Sequence, residues 1–131
     1  MFSRSQIGVS LIEVMVALVV LSIGLMGLSL LQMRALQSTH SAYQATLASV
    51  IASDAEERLW LARGLGVVDA AAVAQIEEEW LEEWSPVLPG IETESSIDIE
   101  DATSSLYQVI VSWTDARFVE EQEFTYRVML P

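Results

Sequence analysis

From Val14 to Met33 the chain runs VMVALVVLSIGLMGLSLLQM, twenty residues without a charge and apolar on every side of the helix they predict. At about 1.5 Å per residue such a helix spans roughly 30 Å, the hydrocarbon thickness of a bilayer. A small domain cannot cover an apolar helix all round, so the pattern predicts a membrane-inserted segment. Gly24 and Gly27 lie within it, where glycine is better tolerated than in soluble helices. They would allow close approach or local loosening of the helix. No proline precedes Pro86, so nothing breaks the helix early. After Arg34 the pattern turns amphipathic. Met33, Leu36, His40, Tyr43, Leu47, Val50 and Ile51 fall on one stripe, with Gln37, Thr39, Gln44 and Ser53 mainly off it. The helix is expected to run to Arg63 and to end at Gly64 and Gly66.

A second helix is expected from an Asp69 N-cap to about Trp84, stopped by Ser85-Pro86. Val73, Ile76, Trp80 and Trp84 give it one apolar face, and Glu77, Glu78, Glu79, Glu82 and Glu83 read as its solvated remainder. The last third alternates. Tyr107, Val109, Val111 and Trp113 form one strand face, and Phe124, Tyr126, Val128 and Leu130 another. A loop around 114–122 joins them as an antiparallel hairpin, and Ile97 and Ile99 mark a third strand over 96–100. The predicted class is α+β: a long N-terminal helix, its first half membrane-inserted, packed on a small antiparallel sheet with one extra helix.

Composition narrows the chemistry. The 131 residues allow one small domain, and 19 acidic against 6 basic residues give a net charge of −13. Every basic residue is an arginine, and eighteen of the nineteen acids lie beyond Ser53. So acidic a chain is a poor ligand for phosphate backbones, and no nucleic-acid role is expected. With no cysteine there is no disulfide, thiolate zinc site or cysteine nucleophile. His40 is the single histidine, so no triad or histidine pair can form, and it reads as a packed structural residue. Glu92, Glu94, Asp98, Glu100 and Asp101 supply oxygen ligands for calcium but lack the spaced Asp/Asn-with-Gly loop of a strong motif. No catalytic residue, metal site or cofactor is expected.

The front end carries the functional signal. A basic leader with Arg4 precedes the apolar run, which exceeds the 7–15 residues of a secretory signal core. Glu13 stands at the run's beginning, and an ionisable group there costs several kcal/mol unless paired, which makes it a candidate functional residue. The stretch Gly8-Val9-Ser10-Leu11-Ile12-Glu13 resembles the processing site of type IV prepilins and pseudopilins. In that family a short basic leader ends in Gly, an apolar residue follows, and Glu is fifth in the mature chain. The resemblance implies cleavage between Gly8 and Val9 by the prepilin peptidase and N-methylation of Val9, although most members begin with Phe. It also implies that Glu13 pairs with a neighbouring subunit's terminal amine, with Leu11 and Ile12 in the assembly interface. Within the family, Gln32–Leu36, His40–Gln44, Ala55–Leu59 and Tyr107–Asp115 resemble the minor pilins called type IV pilus modification protein PilV. Two departures stand out: no cysteine pair closes a C-terminal loop, and no proline bends the apolar helix.

The resemblance divides the chain into a leader (1–8), a transmembrane and assembly half-helix (9–33) and a remainder (34–131) made of the amphipathic half-helix and an acidic domain. It implies a low-abundance subunit whose partners are the prepilin peptidase, other minor and major pilins, the inner-membrane assembly platform and, before assembly, membrane lipid. The N-terminus would be cytoplasmic and the acidic domain periplasmic, later at the pilus surface. Two alternatives compete. One is a type II secretion minor pseudopilin. The other is a membrane-anchored periplasmic binding module with Trp80, Trp84 and Trp113 lining a ligand site.

Overall fold

The computed structural model describes residues 10–66, 68–115 and 122–131, which divide at Ser41/Ala42 into two units. The first unit consists, as far as it is described, of the N-terminal part of α1 (Leu11–Leu65). Three of its hydroxyls bond back onto the helix. Ser22 Oγ donates to the Leu18 carbonyl at 2.7 Å, Ser29 Oγ to Leu25 at 2.9 Å and Thr39 Oγ1 to Ala35 at 2.9 Å. Hydroxyls bonded back one turn meet their own donor within the helix, which suits an apolar surrounding. The helix is regular through Gly24 and Gly27, and a Cβ at either would meet nothing within 4 Å.

The second unit holds the remainder of α1, α2 (Ala70–Trp84), the short α3 (Ile91–Glu94), β1 (Ser96–Asp101), β2 (Leu106–Trp113) and β3 (Gln122–Met129). The strands form one antiparallel sheet in the order β1-β2-β3, with Ile97 opposite Val109 and Val109 opposite Tyr126. A register shift between Ile99 and Asp101 marks an irregularity in β1. The expected architecture is therefore present: a long apolar N-terminal helix, a small antiparallel sheet and an extra helix. Residues 116–121 of the expected hairpin loop lie outside the described residues.

Which side of α1 carries the core differs from the expected stripe. The buried residues are Gln44, Ala48, Ile51, Ala52, Ala55 and Leu59, whereas Tyr43 is 61% and Val50 50% exposed. Met33, Leu36 and His40 are exposed too, so His40 is not a packed residue. The buried face carries Ala48, Ala52 and Ala55, so much of the core's bulk comes from other elements. Against it pack Val109 and Val111 of β2, Val128 of β3, and Trp80, which reaches across from α2. Trp80 is fully buried, and its indole N–H donates to the Ile51 carbonyl at 3.0 Å.

Helix α2 starts where its cap predicts: Asp69 Oδ1 accepts from the Ala72 N–H at 2.8 Å. Two of its glutamates are not simply solvated. Glu77 Oε2 accepts the Ile97 N–H at 2.6 Å, which satisfies an amide of the outer strand β1. Glu83 pairs with Arg58, whose Nε also donates to Asp54 Oδ2 at 2.8 Å, and Trp84 Nε1 bonds the same oxygen at 2.9 Å. Partial burial opposes the Arg58 charge, but the bonds to Asp54 and Glu83 outweigh it and hold the guanidinium more firmly protonated than usual. Helix α3 was not signalled by the sequence pattern. Its N-cap Gly90 has φ 85°, and a Cβ there would lie 2.7 Å from Thr114 Oγ1 and 2.9 Å from the Thr114 amide nitrogen. Only glycine fits that close approach.

Replacing Trp80 with Ala should destabilise the second unit by about 3–5 kcal/mol, the usual cost of a large core deletion. Trp80→Phe should lose less, since it keeps most of the volume and gives up the bond to Ile51; thermal unfolding followed by far-UV circular dichroism checks both. Arg58→Ala should cost about 1–2 kcal/mol, because the charge is shared between two carboxylates but its side chain is 23% exposed and screened. Glu83→Gln should cost less than that, and an equal loss for the two would show that Asp54 contributes nothing to holding Arg58.

Candidate functional site

The functional signal lies at the start of α1. The Ser10 carbonyl accepts from the Glu13 N–H at 2.9 Å and from the Val14 N–H at 3.3 Å, so Ser10 opens the helix and Glu13 falls in its first turn. A carboxylate there faces the helix's positive end, a favourable place for an anion. Glu13 heads a shallow apolar groove of about 360 Å³ shared with Val14, Ala17, Leu18 and Leu21, spaced as one face of the helix. Leu11 and Ile12 are exposed at 81% and 68%. They project beside Glu13 without internal partners. Gly8 and Val9, the expected cleavage pair, lie outside the described residues.

The segment is long and apolar enough to cross a membrane. Its most apolar window has a mean hydropathy of 2.6 and no share of it is buried within the chain. Large exposed side chains from Leu11 to Leu31 therefore await a surrounding other than water.

The other sequence-predicted candidates resolve into structural roles. Trp80 and Trp113 belong to the core, and Trp84 packs against it while bonding Asp54. They do not line a common ligand site, which removes the feature that suggested a binding module. The candidate calcium carboxylates have separate partners. Glu100 pairs with Arg127 at 3.0 Å, Asp98 accepts from Ser96 Oγ at 2.7 Å, and Glu92 accepts from Ser85. Asp101 caps its own turn, and the Ser104 hydroxyl, followed by the Thr103 amide, holds its carboxyl below the usual range. Among the described residues no three His, Cys, Asp or Glu side chains group as metal ligands.

One feature of the second unit was missed by sequence reading. Ser53, Glu56, Glu57, Trp60 and Leu61 line a groove of about 470 Å³ on α1. These positions recur three and four apart along the helix, a spacing that is present in the sequence. Glu56 also engages the Tyr126 hydroxyl of β3, and that bond, reinforced by the carboxylate charge, pushes the phenol above its ordinary value.

Comparison with known proteins bears on the N-terminal segment alone. The family model described as the prokaryotic N-terminal methylation motif matches residues 3–29. No curated protein and no solved structure matches the chain significantly. The matched stretch covers the basic leader, Glu13 and most of the apolar run, and it indicates a type IV prepilin-like protein.

Proposed function

We propose that the chain is a minor type IV pilin, made as a membrane-anchored precursor, cleaved between Gly8 and Val9, methylated on Val9 and drawn into a filament with other pilins. The observation that carries this reading is the match to the methylation motif, in register with a helix that carries Glu13 in its first turn and is free of charge from Val14 to Met33. The proposed layout is a leader (1–8), a membrane and assembly half-helix (9–33) and an amphipathic half-helix with its acidic domain (34–131). The resemblance of His40–Gln44 and of Tyr107–Asp115 to the PilV group favours the pilus over the secretion pseudopilus.

The proposed mechanism follows from the energetics of charge in lipid. Cleavage frees an α-amine at Val9, and Glu13 lies about one helical turn further on. Each charge is costly to leave unpaired in an apolar surrounding. An amine on one subunit meeting Glu13 on its neighbour relieves both costs at a single axial register. Exchange of lipid for protein contacts along Leu11–Leu31 supplies little net hydrophobic gain, since both surroundings are apolar. Register is thus assigned to the charge pair and adhesion to side-chain packing. The partners are the prepilin peptidase, other minor and major pilins, the inner-membrane assembly platform and lipid before assembly. The acidic unit is placed in the periplasm and then on the filament exterior.

Mass spectrometry of filaments sheared from the native cells should find an N-terminal peptide that begins at methylated Val9. The same mature peptide confined to the membrane fraction would favour the secretion pseudopilin, and a chain still beginning at Met1 in peptidase-positive cells would overturn the pilin reading. Gly8→Val should leave the precursor uncleaved, visible as a slower band on electrophoresis. Glu13→Leu should be cleaved normally yet fall at least about ten-fold in the sheared fraction, as loss of an apolar-phase charge pair implies. Undiminished incorporation would remove Glu13 from the assembly mechanism.

A further inference from the structure

The groove on α1 in the second unit is built from positions spaced three and four apart: Ser53, Glu56, Glu57, Trp60 and Leu61. They stand on the side of the helix away from its buried face of Ile51, Ala52, Ala55 and Leu59. The same outward side carries Val50 and Tyr43, both half or more exposed. Trp60 is 44% and Leu61 69% exposed, so an aromatic face and an aliphatic side chain border water between two carboxylates.

The charges around the groove are unequally distributed. Among the described arginines of this unit, Arg58 is held by Asp54 and Glu83, Arg127 by Glu100, and Arg63 donates to the Pro131 carbonyl at 2.9 Å. No ion pair among the described residues engages Glu56 or Glu57. Glu56 interacts instead with the Tyr126 hydroxyl of β3, which leaves its charge in place. A second copy, at net −13 with no lysine, is a poor occupant. The chemistry that fits is cationic and planar. A guanidinium stacks on an indole face, is weakly hydrated for a cation, and forks onto carboxylates.

We infer that the groove formed by Glu56, Glu57, Trp60 and Leu61 is a docking site for an arginine-bearing segment of a different protein subunit. The arginine stacks on Trp60 and donates to Glu57 and Glu56, and an apolar neighbour on the same segment packs on Leu61. The inference goes beyond the pilin reading and does not depend on cleavage at Gly8.

The test uses the full chain in detergent micelles and a fluorescein-labelled Gly-Arg-Leu-Arg-Gly peptide, with the citrulline counterpart as an uncharged isostere, read by fluorescence anisotropy. The arginine peptide should bind and the citrulline peptide should not. Trp60→Ala and Glu57→Gln should each weaken binding about five-fold or more, as loss of a partly exposed cation–π contact or charge-assisted bond implies. Glu82→Gln, an equal charge loss on the exposed side of α2, should change it less than about two-fold, which separates the groove from general acidity. All three replaced residues are exposed, and unchanged thermal unfolding confirms that the variants fold. Absence of binding, equal weakening by Glu82→Gln, or binding retained in Trp60→Ala would overturn the proposal. Self-association abolished by Trp60→Ala would overturn it in favour of a second copy.

Discussion

The burial of one narrow, alanine-bearing face of α1 beneath larger side chains of the other elements is the constraint on which the second unit depends. Ala48, Ala52 and Ala55 place almost no volume on that face, so bulk is supplied from the opposite side by Trp80, Val109, Val111 and Val128. Leu59 and Ile51 are the only large side chains that the helix itself contributes to the fully buried set. The arrangement also explains the bond from Trp80 to the Ile51 carbonyl. An indole lying against helix backbone has its N–H buried, and an unmet buried donor is costly. This bond, with the Arg58–Glu83 pair and the Trp84–Asp54 bond, joins α2 to α1 and leaves the sheet as the remaining wall of a small core.

The same face shows why the elements were more legible than their packing. Strand alternation over Tyr107–Trp113 and the Asp69 cap are signals local in sequence, and the structure reproduces both. The buried side of α1 is not local. Tyr43 and Val50 are larger and more apolar than Gln44 and Ala48, so a stripe chosen by hydrophobicity is rotated from the buried face and shares with the core only Ile51 and the partly buried Leu47. Glu77 illustrates the same limit. Within a run of five glutamates over 77–83 nothing distinguishes it, until β1 presents an outward amide at Ile97 that only a reaching carboxylate satisfies. Gly90 required knowledge that Thr114 folds back onto it. Of the N-terminal site, the spacing of Gly8, Val9 and Glu13 and the length of the apolar run were legible, because that signal lies in linear order rather than in packing.

The two units meet different demands on a polar side chain. In the first, Ser22, Ser29 and Thr39 turn their hydroxyls back onto the helix, so a sequence with scattered polar residues remains compatible with lipid. In the second, hydroxyls such as Thr46 and Ser53 do the same, but charged groups also reach outward to other elements: Glu77 to β1, Arg58 between α1 and α2, Glu56 to Tyr126 on β3. Glu13 is the exception in the first unit. It is a carboxylate on an apolar helix, and its helix-end position lessens the cost without removing it. A group with an unrelieved cost in one surrounding is a natural point at which a second molecule gains specificity.

That logic extends to the outward side of α1 in the second unit. Exposed Trp60 and Leu61 are unfavourable in water, and Glu56 and Glu57 repel one another and the remaining acidic surface. No ion pair among the described residues relieves the charge, and the described arginines of this unit are engaged elsewhere. A cationic, partly apolar partner segment relieves both together, and another acidic chain of this kind relieves neither. An excess of negative charge therefore acts as a selector. It disfavours homotypic contact through the folded unit and leaves association to partners of opposite charge and to the helix that begins at Leu11.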